Sequence, residues 1–529
     1  MQKHHVFNDF QKTAAEVLSS ALKVLLRLRE SFLSTYEKES FENCDIHSYK
    51  CSHSVRYGLE MFVDLGCFAT ENGKDWVGLL NTAWKGVIAL IQTTAGREAF
   101  SNLIDVEHVI VSVIRCAVES LETAAEACKS LLSAKDDVSE VAEFKRLCIP
   151  IKFFLINAVR IATSYPNQAA GVFKEIGICS CKIAAFGHEL SKHSLLRFAA
   201  EIFTETVEPS LCILLYTLLN SSELAFSYKC QILDCLTGLD SESVFAVSNE
   251  NGRETKKAIT NIISDKEVSL QISRLTIFLG LLRSCREYGK DILLELVKRL
   301  DSLFQIISGS KVYPEVFQSH VLVKQSSMKA TWECLYITIL KTLQIFFITI
   351  ADSSAWEEAE AFLFCNILHP HALCRELILD VWCFIARHCE TSMAEVHIHY
   401  LLQILSEFMS LRSVSRFDWP IQMLGRLICQ LVKAIPNLLS TTAIHELALG
   451  EELFSSELKS TLGAILMKEH FPISSLPEEL TENLISSIKK TLLCMYSNMQ
   501  TQVSTESIVI SYLPVEMSLS YLMEFLIQQ

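Results

Sequence analysis

The chain has 529 residues, 50% hydrophobic and 20% charged, with a mean hydropathy of +0.28 and a net charge of −14. It contains only 17 glycines and 10 prolines, about 5% together where roughly 12% is usual. That shortage excludes β-sandwiches, barrels and propellers, which place Gly and Pro in frequent turns, and glycine-loop nucleotide folds. The apolar content excludes a disordered chain, and the acidic balance argues against autonomous binding of a phosphate backbone.

From the N-terminus, Met1 to Phe10 lack the apolar run of a secretory signal. Apolar residues then recur at three- and four-residue steps in Val17–Phe32, Val109–Leu132, Phe144–Ile161 and Leu195–Leu219, which is the helical period. The polar, aperiodic stretch Ser241–Lys256 reads as a boundary or loop. In Asp291–Ile306 the apolar stripe is Leu293, Leu296, Val297, Leu300, Leu303 and Phe304. Asp291, Glu295, Lys298, Arg299, Asp301 and Ser302 fill the other face.

Leu335–Ala351 is the most apolar run. It has 17 residues and contains Lys341 and Gln344, so it falls short of the about 20 residues of a membrane span and is expected to be a buried core helix. Leu373–Cys389, Ile421–Ile435 and Thr481–Tyr496 repeat the helical stripe. Ser354/Glu357, Ser392/Glu395 and Ser475/Glu478 have the spacing of capping boxes, and Pro166, Pro314, Pro370 and Pro436 fall at helix breaks. The expected fold is all-α: an irregular α-solenoid of HEAT- or armadillo-like stacked helical hairpins. Its expected parts are an N-terminal array over 1–240, the polar boundary 241–256 and a C-terminal array over 257–529.

Catalytic signatures are missing. No G-x-x-x-x-G-K-[ST], G-x-G-x-x-G or G-x-S-x-G occurs. His188-Glu-Leu-Ser-Lys-His193 is one residue longer than a zincin helix motif. That extra residue turns its second histidine about 140° from the first. The 19 cysteines include no Cys-x-x-Cys pair and sit mostly in apolar runs, as small hydrophobes of a protein in a reducing compartment do. Two Cys/His groups have the residue types of a metal site. Cys44, His47, Cys51 and His53 fall in what reads as an exposed polar loop. Cys365, His369, His371, Cys374, Cys383, His388, Cys389, His397 and His399 are scattered by helical phase. The expectation is therefore no catalytic, cofactor or metal residues, no membrane span and no direct nucleic-acid binding.

The segment Leu363–Glu390, LFCNILHPHALCRELILDVWCFIARHCE, joins a His369-Pro370-His371 turn and Leu373-Cys374 to an amphipathic helix with Trp382-Cys383-Phe384 and Arg387-His388. It resembles the signature region of the fidgetin-like-interacting regulator of recombination and mitosis family (FIRRM, also called FLIP). The resemblance implies a non-enzymatic nuclear adaptor, also compatible with the cytoplasm. Such an adaptor binds a fidgetin-like AAA ATPase and, through it, acts on RecA-type recombinase filaments in homologous recombination, meiotic crossover control and DNA repair. The signature residues are then His369, Pro370, His371, Leu373, Cys374, Trp382, Cys383, Phe384 and Arg387. Core packing is the favoured role for Trp382 and Cys383, and capping or solvation for His369 and His371, with partner contact as the other reading. A HEAT-like interaction scaffold of another nuclear or cytosolic pathway would share every compositional feature.

Overall fold

Apolar side chains at three- and four-residue steps become the buried faces of helices throughout the computed structural model. It describes residues 2–36, 46–72, 76–92, 104–131, 137–238, 266–323, 331–410 and 419–434, with three isolated positions beyond them. The described chain is mostly helical and forms two compact units: Met1–Thr342 with Asp352–Ala355, and Leu343–Ala351 with Trp356–Gln529.

The first unit begins with α1 (Gln2–Tyr36), α2 (Ile46–Glu71) and α3 (Val77–Ile91), which pack on one another. The contact between α2 and α3 is close because two glycines lie in it. A Cβ on Gly66 would fall 2.6 Å from the Trp84 indole, and one on Gly86 would fall 2.6 Å from the Phe62 ring. Next, α4 (Val106–Leu131) pairs with α5 (Asp137–Ser164). The short α6 (Pro166–Gly171), with Pro166 in its first turn, leads to α7 (Phe173–Lys192), α8 (Arg197–Thr206), α9 (Glu208–Asn220) and α10 (Phe226–Thr237). Beyond the undescribed 239–265 come α11 (Lys266–Arg283), α12 (Lys290–Lys298), α13 (Leu300–Ser308) and α14 (Val312–Gln318). Two strands, β1 (His320–Val323) and β2 (Thr331–Cys334), pair antiparallel with His320 opposite Cys334. The second unit takes the later part of α15 (Leu335–Ile350), then α16 (Trp356–Asn366), α17 (Ala372–His388), α18 (Thr391–Ser410) and α19 (Trp419–Ala434).

The boundary expected at 241–256 lies outside the described residues. The helices flanking it belong to one unit, since α11 packs on α7 and α10. Leu335–Ala351 is a helix as expected, with Leu335, Ile339, Leu343, Phe346, Phe347 and Ile350 buried and Ile337, Ile345 and Ile348 exposed. Among the described residues two stretches are long and apolar enough to cross a membrane, Ala142–Ser164 and Ser194–Asn220; 50% and 44% of their most apolar windows are buried inside the protein.

Several local expectations change. Leu195–Leu219 is not one helix: a short 3-10 turn, α8 and α9 divide it, with Pro209 in the first turn of α9. The supposed loop carrying His47, Cys51 and His53 is the start of α2, because Cys51, Val55, Leu59 and Phe62 form one buried stripe; Cys44 lies outside the described residues. Capping is shifted as well. The Ser353 hydroxyl, not that of Ser354, accepts the Ala355 amide, and Glu390 rather than Ser392 precedes α18, its carbonyl accepting from Met393 and Ala394. The Ser475 box lies outside the described residues.

The largest change is at Asp291–Ile306. The helix breaks at Arg299 into α12 and α13, and Glu295, Arg299 and Ser302 of the supposed polar face are buried. A third helix, α10, covers that face. The Arg299 guanidinium donates to Asp234 Oδ1 at 2.6 Å and to the Glu295 carboxylate and carbonyl. Burial alone would raise the Glu295 carboxyl, but bonds from Arg299 and Lys298 outweigh it and hold the group below its ordinary value.

Removing one member of such a buried network strands the others. Arg299→Ala is expected to lower unfolding stability by about 3 kcal/mol. Arg299→Lys should recover only part of that, because an ammonium cannot reproduce the fork. Urea titration followed by circular dichroism checks both, and an Arg299→Ala midpoint equal to wild type would show that the network contributes nothing.

Candidate functional site

The His369-Pro370-His371 turn joins α16 to α17 and is held by a side chain one helical turn further on. Arg375 donates from Nη1 to the carbonyls of His369 at 2.7 Å and Pro370 at 2.8 Å. The same guanidinium lies 4.8 Å from the ring centroid of Trp419, which is 49% exposed at the start of α19. The His371 amide donates to His369 Nδ1 at 3.1 Å, and Arg426 of α19 pairs with Glu376. Two cation contacts and a ring nitrogen thus fix a turn that has no side-chain cap of the usual kind.

From this turn α17 presents two faces. Leu373, Cys374, Leu377, Ile378, Val381, Trp382, Cys383 and Ile385 are buried. Trp382 meets the Phe364 ring edge-on at 5.0 Å and the His397 imidazole at 4.9 Å, and His397 Nε2 lies 2.7 Å from Glu360 Oε1. The Trp382 Nε1–H is buried without a hydrogen-bond partner. Its indole therefore contributes bulk and ring contact rather than a polar anchor. The other face carries partly buried Phe384, packed 4.6 Å from the His388 ring, and exposed Arg387. Pro370 is exposed, and His369 and His371 are half-buried.

The nine signature residues therefore divide. Leu373, Cys374, Trp382 and Cys383 are core, while Pro370, Phe384 and Arg387 reach the surface. The dense Cys/His group does not converge. Cys374 and Cys383 are buried, with burial pushing their thiols up to about 12 and about 11, whereas Cys365 and His399 are exposed. Among the described residues no three His, Cys, Asp or Glu side chains are grouped as a metal would require. Sequence reading did not single out Arg375, Trp419 or Glu360. The signal for the first was its place four residues beyond His371, where a long cation can reach back over a helix start.

The first unit holds other polar groups. A cavity of about 60 Å³ is lined by His188, Thr204, Glu208, Arg283 and Thr338, room for a water or two. Burial raises the Glu208 carboxyl, which accepts from the Thr204 hydroxyl at 3.1 Å. A wider cleft of about 320 Å³ lies between Gln271, Arg274, Ser302, Gln305 and Lys311. The histidines of the His188–His193 motif part company: His188 is buried and His193 lies exposed beyond the end of α7.

A family model described as a domain of unknown function, DUF4487, matches residues 77–524. The chain belongs to that family. The match covers the whole Leu363–Glu390 segment and every described helix from α3 onward. A comparison with curated proteins finds no match.

Two outcomes follow from this geometry. Trp382→Ala should cost about 3–5 kcal/mol, the usual loss for emptying a core aromatic site. Trp382→Phe should cost far less, because the indole N–H it removes has no acceptor. Equal losses in thermal melts of the two variants would refute the volume argument.

The second outcome concerns His188. Burial holds its imidazole down at about 4, helped by Lys192 and opposed by Glu189. Both ring nitrogens lack a hydrogen-bond partner, and Glu315 Oε2 is 3.9 Å from Nε2. The unfolded chain, with an ordinary value near 6.5, takes up its proton first as pH falls. The contribution is therefore intact above pH 6.5 and lost towards pH 4, by up to about 3 kcal/mol. Glu119, pushed up by burial to about 7, and Glu208 work in the opposite sense, so the comparison with His188→Gln isolates the histidine. The stability difference between the two proteins should shift by about 3 kcal/mol between pH 7 and pH 4, and parallel curves would exclude the effect.

Proposed function

We propose that this chain is a non-enzymatic helical adaptor of the FIRRM type. It binds a fidgetin-like AAA ATPase and thereby regulates RecA-type recombinase filaments in recombination, crossover control and DNA repair, in the nucleus. The observation that supports the reading most is the two-faced build of α17 within the segment that carries the resemblance. One face locks Trp382 between Phe364 and His397. The opposite face presents Phe384, Arg387 and His388 near the C-terminal end of a helix whose first turn is pinned by Arg375. An aromatic and an arginine on a rigid helix are the residue types that dominate binding energy at protein interfaces. On this reading the ATPase performs the chemistry and this chain contributes position and stability. The same proposal takes the helical hairpins of the first unit, α1 with α2 and α4 with α5, as turns of an irregular α-solenoid of HEAT or armadillo type.

The test is direct binding of the purified full-length chain to the full-length ATPase. Wild type should bind. Phe384→Ala with Arg387→Glu should weaken binding about 10-fold or more while leaving the thermal melt within a degree or two of wild type. No binding by wild type would sink the proposal. Wild-type affinity in the double variant would remove this helix face from it.

A further inference from the structure

Two cysteines from different helices lie side by side in the first unit. Cys67 of α2 and Cys116 of α4 have their sulfurs 3.8 Å apart, although 49 residues separate them. Cys116 Sγ–H is directed at Cys67 Sγ, and Arg115 Nη2 donates to the same sulfur at 3.3 Å. Cys67 therefore receives two donors, one of them cationic, on a single sulfur. Cys67 is 8% exposed and Cys116 fully buried, while the Arg115 side chain beside them is 55% exposed.

We propose that Cys67 and Cys116 form a peroxide-sensitive dithiol, with Cys67 the attacking sulfur and Cys116 the resolving one, which closes into a disulfide linking α2 to α4. The bond from Cys116 lowers the Cys67 thiol most; burial opposes this, Arg115 adds to it, and the thiol is held below its ordinary value. Cys116 moves the other way and stays protonated. Burial instead pushes Cys128, Cys148 and Cys179 up to about 12. These thiols remain protonated and are poor nucleophiles. Glu119 lies 3.8 Å from Arg115 Nε, and burial raises its carboxyl to about 7.

The oxidant is hydrogen peroxide. The Cys67 thiolate attacks one peroxide oxygen and the O–O bond breaks. Sulfenic acid forms, and the leaving hydroxide takes a proton and departs as water. The bond to the Cys67 thiolate, the largest cause keeping Cys116 protonated and ahead of burial, is then lost. Cys116 loses its proton, attacks the Cys67 sulfur and displaces hydroxide, which leaves as a second water. The sum is two thiols and one peroxide giving one disulfide and two waters. The sulfurs must close from 3.8 Å to about 2.05 Å, a displacement of under about 1 Å each.

The test treats the reduced full-length chain with one equivalent of hydrogen peroxide at pH 7. Remaining thiols are then blocked and the peptides mapped without reduction. The Cys67–Cys116 linked peptide should appear before any other oxidised cysteine. Cys116→Ser should accumulate a sulfenic acid at Cys67 that dimedone traps. Arg115→Gln, a change at an exposed side chain, should slow the reaction about 10-fold. The wild-type map needs no variant to fold. Oxidation spread over other cysteines without the Cys67–Cys116 link would overturn the proposal, and a wild-type rate in Arg115→Gln would overturn the role of the guanidinium.

Discussion

A helix packed on two or three neighbours has little face left for water, and a polar side chain left unsatisfied there costs stability. In this chain the commonest solution is local. Ser120 donates to the carbonyl of Cys116, Ser180 to that of Ile176, Thr237 to that of Leu233 and Thr342 to that of Thr338, each four residues back on its own helix. Such back-bonding removes the cost of burying a hydroxyl without needing a partner elsewhere. It lets a chain with few glycines and prolines bury these helices with small hydroxyls such as Ser120, Ser180, Thr237 and Thr342 already paired.

Longer polar groups cannot be satisfied this way, and they tie together helices distant in sequence. Arg29 of α1 donates to the carbonyls of Ala89 and Leu90 at the end of α3, and the Tyr165 hydroxyl donates to that of Ile91 at 3.1 Å. Ser269 of α11 donates to Glu189 of α7 at 2.7 Å across the undescribed 239–265. Arg299 joins α10 to the break between α12 and α13. Apolar contact alone tolerates sliding between helices. A carbonyl or carboxylate that must meet one donor does not, so these few bonds set the register in which the apolar stripes meet.

The same distinction separates what was legible in the sequence from what was not. A 3.6-residue period reports which side of a helix is buried first, and it found Leu293, Leu296 and Leu300 as well as Leu377, Ile378 and Trp382. It does not report a second buried side. Glu295 and Arg299 were placed on a solvated face because their charge matched one, and only α10 closing over them makes that face interior. The pairing of Cys67 with Cys116 depends on two helices crossing 49 residues apart, and no spacing rule encodes that. The His369-Pro370-His371 turn was visible as a break, but the Arg375 bonds that hold it required the helix start to be placed. Capping residues shifted by a position or two for a simpler reason: serines cluster at these starts, and which one caps depends on the entry angle of the chain.

For α17 the division of faces constrains how its signature can be read. An indole whose N–H finds no acceptor is retained for its volume and its contacts with Phe364 and His397, so Trp382 speaks for the core of the second unit. The turn is different. Arg375 is partly buried and its guanidinium is engaged by two carbonyls and the Trp419 ring, so it stiffens the entry to α17 without being free to bind. What remains for a partner is the small set the core does not use: Pro370, Phe384, Arg387 and His388. Phe384 and His388 lie one turn apart and pack on each other, which lowers the entropy lost when an incoming surface covers them. Recognition on this helix would then depend on the rigidity of its buried face as much as on the chemistry of its exposed one, and damage to either would weaken binding through a different measurable quantity, stability in one case and affinity alone in the other.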